Sequence, residues 1–280
     1  MIRRAYDALL LDLDGTLVDD TGHVGPRTRS AVRALHRAGG RVMIATGRSE
    51  LGTAAVVEQL GIYEPAVVYN GAGLWCPESD RLLEERLLSN RVVERALRFG
   101  RAAGHAVVVM RAGAKFASEP TTRAERNAIR HLEGLQLCSD RDLPTEYVIR
   151  ITFFSDRHPS SAEFEAEVQA AIGQPLYLTH FPLNALPQHR DSPLQVVDVQ
   201  PPCRGKGEAL RILEERWGIP RERVVAVGDA TNDLPMFEGV GLACAMRRSM
   251  PEALAAAQRV IGDNNEEAIA DLVDELFGVR

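Results

Sequence analysis

Asp12 and Asp14 stand two residues apart where the apolar run Leu9-Leu10-Leu11 ends, and Gly15 and Thr16 follow within the next two positions. Side chains at i and i+2 of an extended segment point the same way, so the two carboxylates can share one small pocket at the strand end. Neighbouring carboxylates repel each other unless a cation or a proton sits with them, and Mg²⁺ takes oxygen ligands of this kind. The chemistry that suits this arrangement is a magnesium-assisted phosphoryl transfer through an aspartate. Gly15 lets the backbone come close to a ligand, and Thr16 supplies a hydroxyl and a helix-capping side chain. An Asp-Gly pair is also a common hairpin turn, so further residues have to decide.

Three other apolar runs end in chemistry of the same kind. Residues 42–45 are followed by Thr46-Gly47-Arg48, residues 66–69 by Asn70-Gly71, and residues 224–227 by Gly228-Asp229-Ala230-Thr231-Asn232-Asp233. Ligands of open α/β sheets bind outside the carboxyl ends of the strands, so four such endings on one edge form a constellation. A transferred phosphoryl group spreads negative charge over its oxygens and calls for hydroxyl and amide donors, a cation and a metal. Thr46 and the Gly47 amide are the donors. Lys206, with glycine on either side, opens a helix whose dipole it opposes, which is better explained by a nearby anion. Asp229 is a third metal ligand, with Asn232 and Asp233 behind it to hold phosphate, lysine or metal-bound water. Taken singly, each segment also reads as something plainer: Ser49 as an N-cap, Lys206 as a solvated surface lysine, residues 229–233 as a capping cluster.

The elements that must position these residues follow from periodicity. Strand-like runs at 8–13, 42–45, 66–69 and 224–227 alternate with helix-like runs at 26–38, 49–60 and 205–217, and two more helices start near 249 and 264. That alternation predicts an α/β core with a doubly wound, parallel, Rossmann-like sheet. The middle differs, with strand candidates at 106–110, 147–154, 176–181 and 195–199 and helix candidates at 91–103, 123–132 and 161–172. There Tyr147, Ile149, Ile151 and Phe153 share one face while Val148, Arg150 and Thr152 share the other, which predicts a sheet with one packed and one wet face. An α+β domain is therefore expected at residues 85–192, inserted into a core made of 1–84 and 193–280.

The chain has 280 residues and is 45% hydrophobic, enough for one large domain or two ordinary ones. A formal net charge of -6 with no dominating basic block argues against nucleic-acid and membrane partners and favours small solutes. Cys76, Cys138, Cys203 and Cys244 form no C-x-x-C pair, which suggests neither a zinc site nor a disulfide framework and fits a reducing compartment. The N-terminal residues resemble neither a signal peptide nor a spanning helix, so a cytoplasmic location is expected.

Together, Asp12-x-Asp14-Gly15-Thr16, Thr46-Gly47-Arg48, Asn70-Gly71-Ala72, Gly205-Lys206-Gly207 and Gly228-Asp229-x-x-Asn232-Asp233 resemble the haloacid dehalogenase-like superfamily, specifically its Cof-type sugar-phosphatase branch. The resemblance spans the whole chain, and the insertion looks like that branch's α/β cap. It implies that Asp12 is the nucleophile, forming an aspartyl-phosphate that water cleaves, and that Asp14 is the general acid and then the base. It implies Mg²⁺ held by the Asp12 side chain, the Asp14 backbone carbonyl and Asp229. It further implies phosphoryl contacts from Thr46, Gly47, Lys206 and Asn232, with Asp233 in support, and a cap that closes over the leaving group. Ala243-Cys244-Ala245-Met246-Arg247-Arg248 departs from the family's usual loop, and its two arginines read as solvated or structural. In the cap, Arg150, Thr152, His180, His189 and Arg190 are the polar candidates for leaving-group contact.

The expected function is a Mg²⁺-dependent phosphatase acting on small phosphorylated metabolites, sugar phosphates first among them, as a monomer or homodimer. A sugar phosphomutase and a non-catalytic phosphometabolite-binding protein are the alternatives. A protein of the last kind could dispense with Asp14, which this chain retains.

Overall fold

The computed structural model describes residues 5–173 and 175–278. The chain opens with β1 (Ala8–Leu11), four buried apolar residues, followed by a wide turn at Leu13–Leu17. Next come α1 (Pro26–Arg37), β2 (Arg41–Ile44), α2 (Glu50–Leu60), β3 (Ala66–Val68), β4 (Gly73–Cys76) and β5 (Arg81–Glu85). Proline in its first turn starts α1, and Thr28, Ala31, Val32 and Leu35 form the buried stripe. The middle of the chain holds α3 (Asn90–Ala103), β6 (Ala106–Arg111), β7 (Ala114–Ser118), α4 (Arg123–Ile129), β8 (Leu135–Cys138), β9 (Arg150–Ser155), α5 (Ser161–Ile172), β10 (Tyr177–Pro182) and β11 (Gln195–Gln200). The last part holds α6 (Glu208–Trp217), β12 (Val224–Gly228), α7 (Leu234–Phe237), β13 (Leu242–Ala245), α8 (Pro251–Ala256), β14 (Arg259–Val260) and α9 (Ala268–Phe277).

These elements gather into two compact units. Of the described residues, the first comprises those up to Ser49, Thr53–Glu84 and those from Arg204 onward; the second comprises Glu50–Gly52 and those of Glu85–Cys203. In the first, five parallel strands lie in the order β14-β13-β12-β1-β2, with Leu9 in register with both Val225 and Val42. A parallel bridge between Ala45 and Val67 links this sheet to the β3-β4-β5 ribbon. Ala8, Leu10, Met43, Ala226 and Ala243 pack with Ala209, Leu210, Ile212 and Leu213 of α6 and with Met236 and Phe237 of α7. Each fully buried leucine here contributes about 1.5–3 kcal/mol. Because the strands run parallel, β1, β2 and β12 all deliver their carboxyl ends to one edge, as the alternation predicts.

The second unit is built on a six-stranded sheet, β10-β11-β9-β6-β7-β8, antiparallel except where β7 pairs parallel with β8 after the α4 crossover. Val93, Ala96 and Leu97 of α3 and Phe164, Val168 and Ile172 of α5 cover Val107, Val109, Ile151, Phe153, Val197 and Val199. Thr122 and Glu125 close a capping box at the start of α4.

Three expectations are corrected. The second face of β9 is not wet, since all six of its residues are buried. Its charge is paired: Arg150 lies 3.4 Å from Asp198, and Thr152 Oγ1 donates to Asp198 Oδ1 at 2.5 Å. Tyr147 is no strand residue; its φ of 57° is left-handed, its ring is exposed, and Arg111 stacks over it. The return boundary falls between Cys203 and Arg204 instead of at residue 192, because β11 pairs with both β9 and β10 and so belongs to their sheet. Among the described residues, no helix is long and apolar enough to cross a membrane.

Candidate active site

The site lies within the first unit. Asp12 follows β1 directly, and its N–H donates to Val227 O at 3.0 Å, so the ladder with β12 fixes the backbone that carries the carboxylate. Lys206, in the turn ahead of α6, donates from Nζ to Asp12 Oδ1 and to Asp233 Oδ1, both at 2.6 Å, and is itself fully buried. Asp233 Oδ2 accepts the N–H groups of Asp229 and Ala230 at 2.8 and 2.9 Å. That contact needs Gly228, because a Cβ there would lie 2.4 Å from the Asp233 carboxyl carbon.

Carboxylate oxygens of Asp12, Asp229 and Asp233 all lie within 4.8 Å of one another. Burial pushes the Asp12 carboxyl up to about 7, against the pull of Lys206, with Asp233 and Asp14 adding to the rise. Asp229 is likewise held well above the usual carboxylate range by burial and by Asp12 and Asp233. Lys206 stays charged, the two carboxylates outweighing its burial. Ionised together, three carboxylates around one ammonium would carry an excess of negative charge, which on top of burial raises Asp12 and Asp229, and a hard divalent cation with oxygen preference fits that excess. Both Asp233 oxygens are already engaged, which suits it to a supporting place, while Asp12 and Asp229 retain acceptor capacity.

Thr16 caps no helix; its hydroxyl donates to Asp229 Oδ1 at 3.4 Å, because residues 13–17 form a turn instead of a helix start. Thr46 is fully buried, with its N–H on Val67 O and its carbonyl accepting from Asn70 N. Its Oγ1 accepts the Arg48 N–H at 3.1 Å, so the hydroxyl proton is left to donate. Asn232 Nδ2 donates to Asn70 Oδ1 at 3.1 Å, and Asn232 Oδ1 is buried without a protein partner, an acceptor left for a hydroxyl or a water. Gly47 packs close to Asn70, and Asn70 itself adopts a left-handed φ of 49°. The residues following β1, β2, β3 and β12, together with the turn at Lys206, thus meet in one place.

The Asp14 carboxylate is not in the acidic cluster. Arg48 holds it in a fork, Nε to Oδ2 at 2.9 Å and Nη2 to Oδ1 at 2.6 Å. The expected metal role of Asp14 was for its carbonyl, so the side chain's place on Arg48 leaves that expectation where it stood. Arg48 and Asn70 carry structural roles that spacing gave no reason to assign; both lay inside segments already marked, which was the available signal. Arg247 and Arg248 form ion pairs with Glu266 and Asp263 and are largely exposed. In the second unit His180 Nδ1 lies 3.0 Å from Ser161 Oγ, and burial beside His131 and Arg130 pushes His189 below the usual imidazole range.

Known proteins resemble this chain along most of its length. An HMP-PP phosphatase of Cronobacter sakazakii is 27% identical, over 92% of this chain and 91% of its own. A pyridoxal phosphate phosphatase of Escherichia coli is 27% identical, over 95% of this chain and 96% of its own. A solved sugar phosphatase of haloacid dehalogenase subclass IIB shares the fold with a TM-score of 0.79 at 20% identity, covering 98% of this chain and 100% of that one. A family model described as haloacid dehalogenase-like hydrolase matches residues 9–273, and the chain belongs to that family.

Proposed function

We propose that this chain is a Mg²⁺-dependent phosphatase that hydrolyses small phosphorylated metabolites, sugar phosphates among them, through an aspartyl-phosphate on Asp12. The observation that carries the reading is the cluster of Asp12, Asp229 and Asp233 within 4.8 Å, with Lys206 bridging two of them. Asp12 attacks phosphorus, forming an O–P bond as the bond to the leaving oxygen breaks, and the leaving oxygen takes a proton from Asp14. Water then attacks the phosphoryl group, gives its proton to Asp14, and releases Asp12 and phosphate. Lys206, the Thr46 hydroxyl and the Gly47 amide bind the phosphoryl oxygens as charge gathers on them. Asn232 orients that group or its water, and Asp233 holds Lys206 in place. When bound through Asp12, the Asp14 carbonyl and Asp229, Mg²⁺ supplies positive charge against the phosphoryl oxygens and the excess carboxylates.

The first unit is assigned the chemistry and the second the choice of leaving group. The four cysteines, with no C-x-x-C pair among them, support a reducing, cytoplasmic setting. The relatives' names, an HMP-PP phosphatase and a pyridoxal phosphate phosphatase, support a phosphatase reading broader than one substrate. Phosphate release from p-nitrophenyl phosphate and a panel of sugar phosphates, with and without EDTA, tests the proposal. Metal-dependent release that Asp12→Asn abolishes is expected; no release across the panel, or a fully active Asp12→Asn, would overturn it.

A further inference from the structure

The fork between Arg48 and Asp14 occupies both oxygens of the carboxylate assigned to proton transfer. A carboxylate so held can neither give a proton to a leaving oxygen nor take one from water through those oxygens unless the guanidinium turns away. Unlike the sealed Asp12–Lys206–Asp233 group, the pair is partly open to solvent, with side chains 28% and 42% exposed. The arginine backbone is pinned on both sides: its N–H donates to Thr46 Oγ1 and its carbonyl accepts from Tyr69 N. Movement is therefore left to the side chain, whose root is anchored two residues from Thr46. Lys206 has no such freedom, being fully buried and committed to two carboxylates.

A guanidinium fork matches a phosphoryl dianion as well as it matches a carboxylate, and a dianion is the stronger partner. We propose that Arg48 is an exchangeable clamp, resting on Asp14 in the empty site and transferring to the phosphoryl oxygens of an arriving phosphomonoester, which frees Asp14 for proton transfer. This rests on the phosphatase reading given above. Its consequence is that the acid and base are released only where a phosphoryl dianion is present. Freed of the guanidinium, Asp14 takes up a proton from solvent and gives it to the leaving oxygen as the P–O bond breaks; in the second half-reaction it takes one from the attacking water, and it returns that proton to solvent when Arg48 closes on it again.

Two substrates separate the clamp from simpler roles. A p-nitrophenolate leaves without protonation, whereas a sugar alkoxide needs the proton. Arg48→Met is expected to lower kcat/KM on both substrates by the same factor, roughly tenfold or more, mainly through KM, with Arg48→Lys recovering part of it. Asp14→Asn should instead lower kcat on the sugar phosphate far more than on p-nitrophenyl phosphate. Binding of inorganic phosphate, measured by calorimetry, should weaken by the same factor in Arg48→Met. If Arg48→Met reproduces the leaving-group-selective loss of kcat at unchanged KM, Arg48 only orients Asp14 and the clamp is wrong. If neither KM nor phosphate affinity changes, the fork is a surface ion pair and the clamp is equally wrong. The phosphate-binding arm needs no turnover, so it still decides the matter if the wild type hydrolyses neither substrate, the result that would defeat the phosphatase reading instead.

Discussion

Lys206 and Asp233 meet at 2.6 Å with side chains 1% and 0% exposed, and the same ammonium reaches Asp12 at 2.6 Å from 194 residues earlier in the chain. Removing one member of such a group strands the others without compensation, which costs about 3–5 kcal/mol. Lys206→Met should therefore destabilise the fold by that order in urea denaturation, besides abolishing turnover. A loss under about 1 kcal/mol would mean that the carboxylates are compensated by something other than Lys206.

Metal binding can be read without activity. Anything that binds only the folded state stabilises it, by about 2.7 kcal/mol at a hundredfold excess over Kd. Mg²⁺ added after EDTA treatment should raise the Tm of the wild type, and Asp229→Asn should remove most of that shift. An equal shift in Asp229→Asn would place the ion elsewhere.

Gly71 has a φ of 94°, and a Cβ on it would stand 2.2 Å from the Gly205 carbonyl oxygen. The turn after β3 and the turn that carries Lys206 are in contact at this point, so the clash is with backbone that anchors the site. Gly71→Ala should cost about 2 kcal/mol or more, from strain and collision together, and should lower kcat with it. Denaturation and kinetics of the variant check this; a neutral substitution would show that the two turns can part freely.

Burial raises the Glu125 carboxyl, but hydrogen bonds from Thr122 and Thr121 outweigh it and hold the group below its ordinary 4.5. A carboxylate depressed in the folded state stabilises fully above the unfolded value, and the contribution is lost as pH falls through the folded one. Glu125→Gln should thus be less stable than the wild type at pH 7, with the gap narrowing below about pH 4.5. Thermal melts across pH 3–7 test it, and a gap that widens in acid would contradict the sign.

Residue types, order and strand-end positions were enough to mark Asp12, Thr46, Lys206, Asp229, Asn232 and Asp233, because each follows a local apolar run or opens a helix, and such signals lie within a few residues. The parallel core was legible for the same reason. Strands β4, β5, β7, β8, β13 and β14 were not, since two to five residues carry too little periodicity, and β5 has an exposed, partly charged pattern. The polar burial of Arg150 and Thr152 also depends on a partner far along the chain, Asp198, which no local pattern announces. Likewise the fork joins Arg48 to a residue 34 positions earlier, and Asn70 reaches Asn232 across 162. Local chemistry along the chain therefore determined which groups are present and on which elements. Tertiary structure alone decided which of them touch, because hydrogen bonds and ion pairs depend on distances set by how distant segments pack.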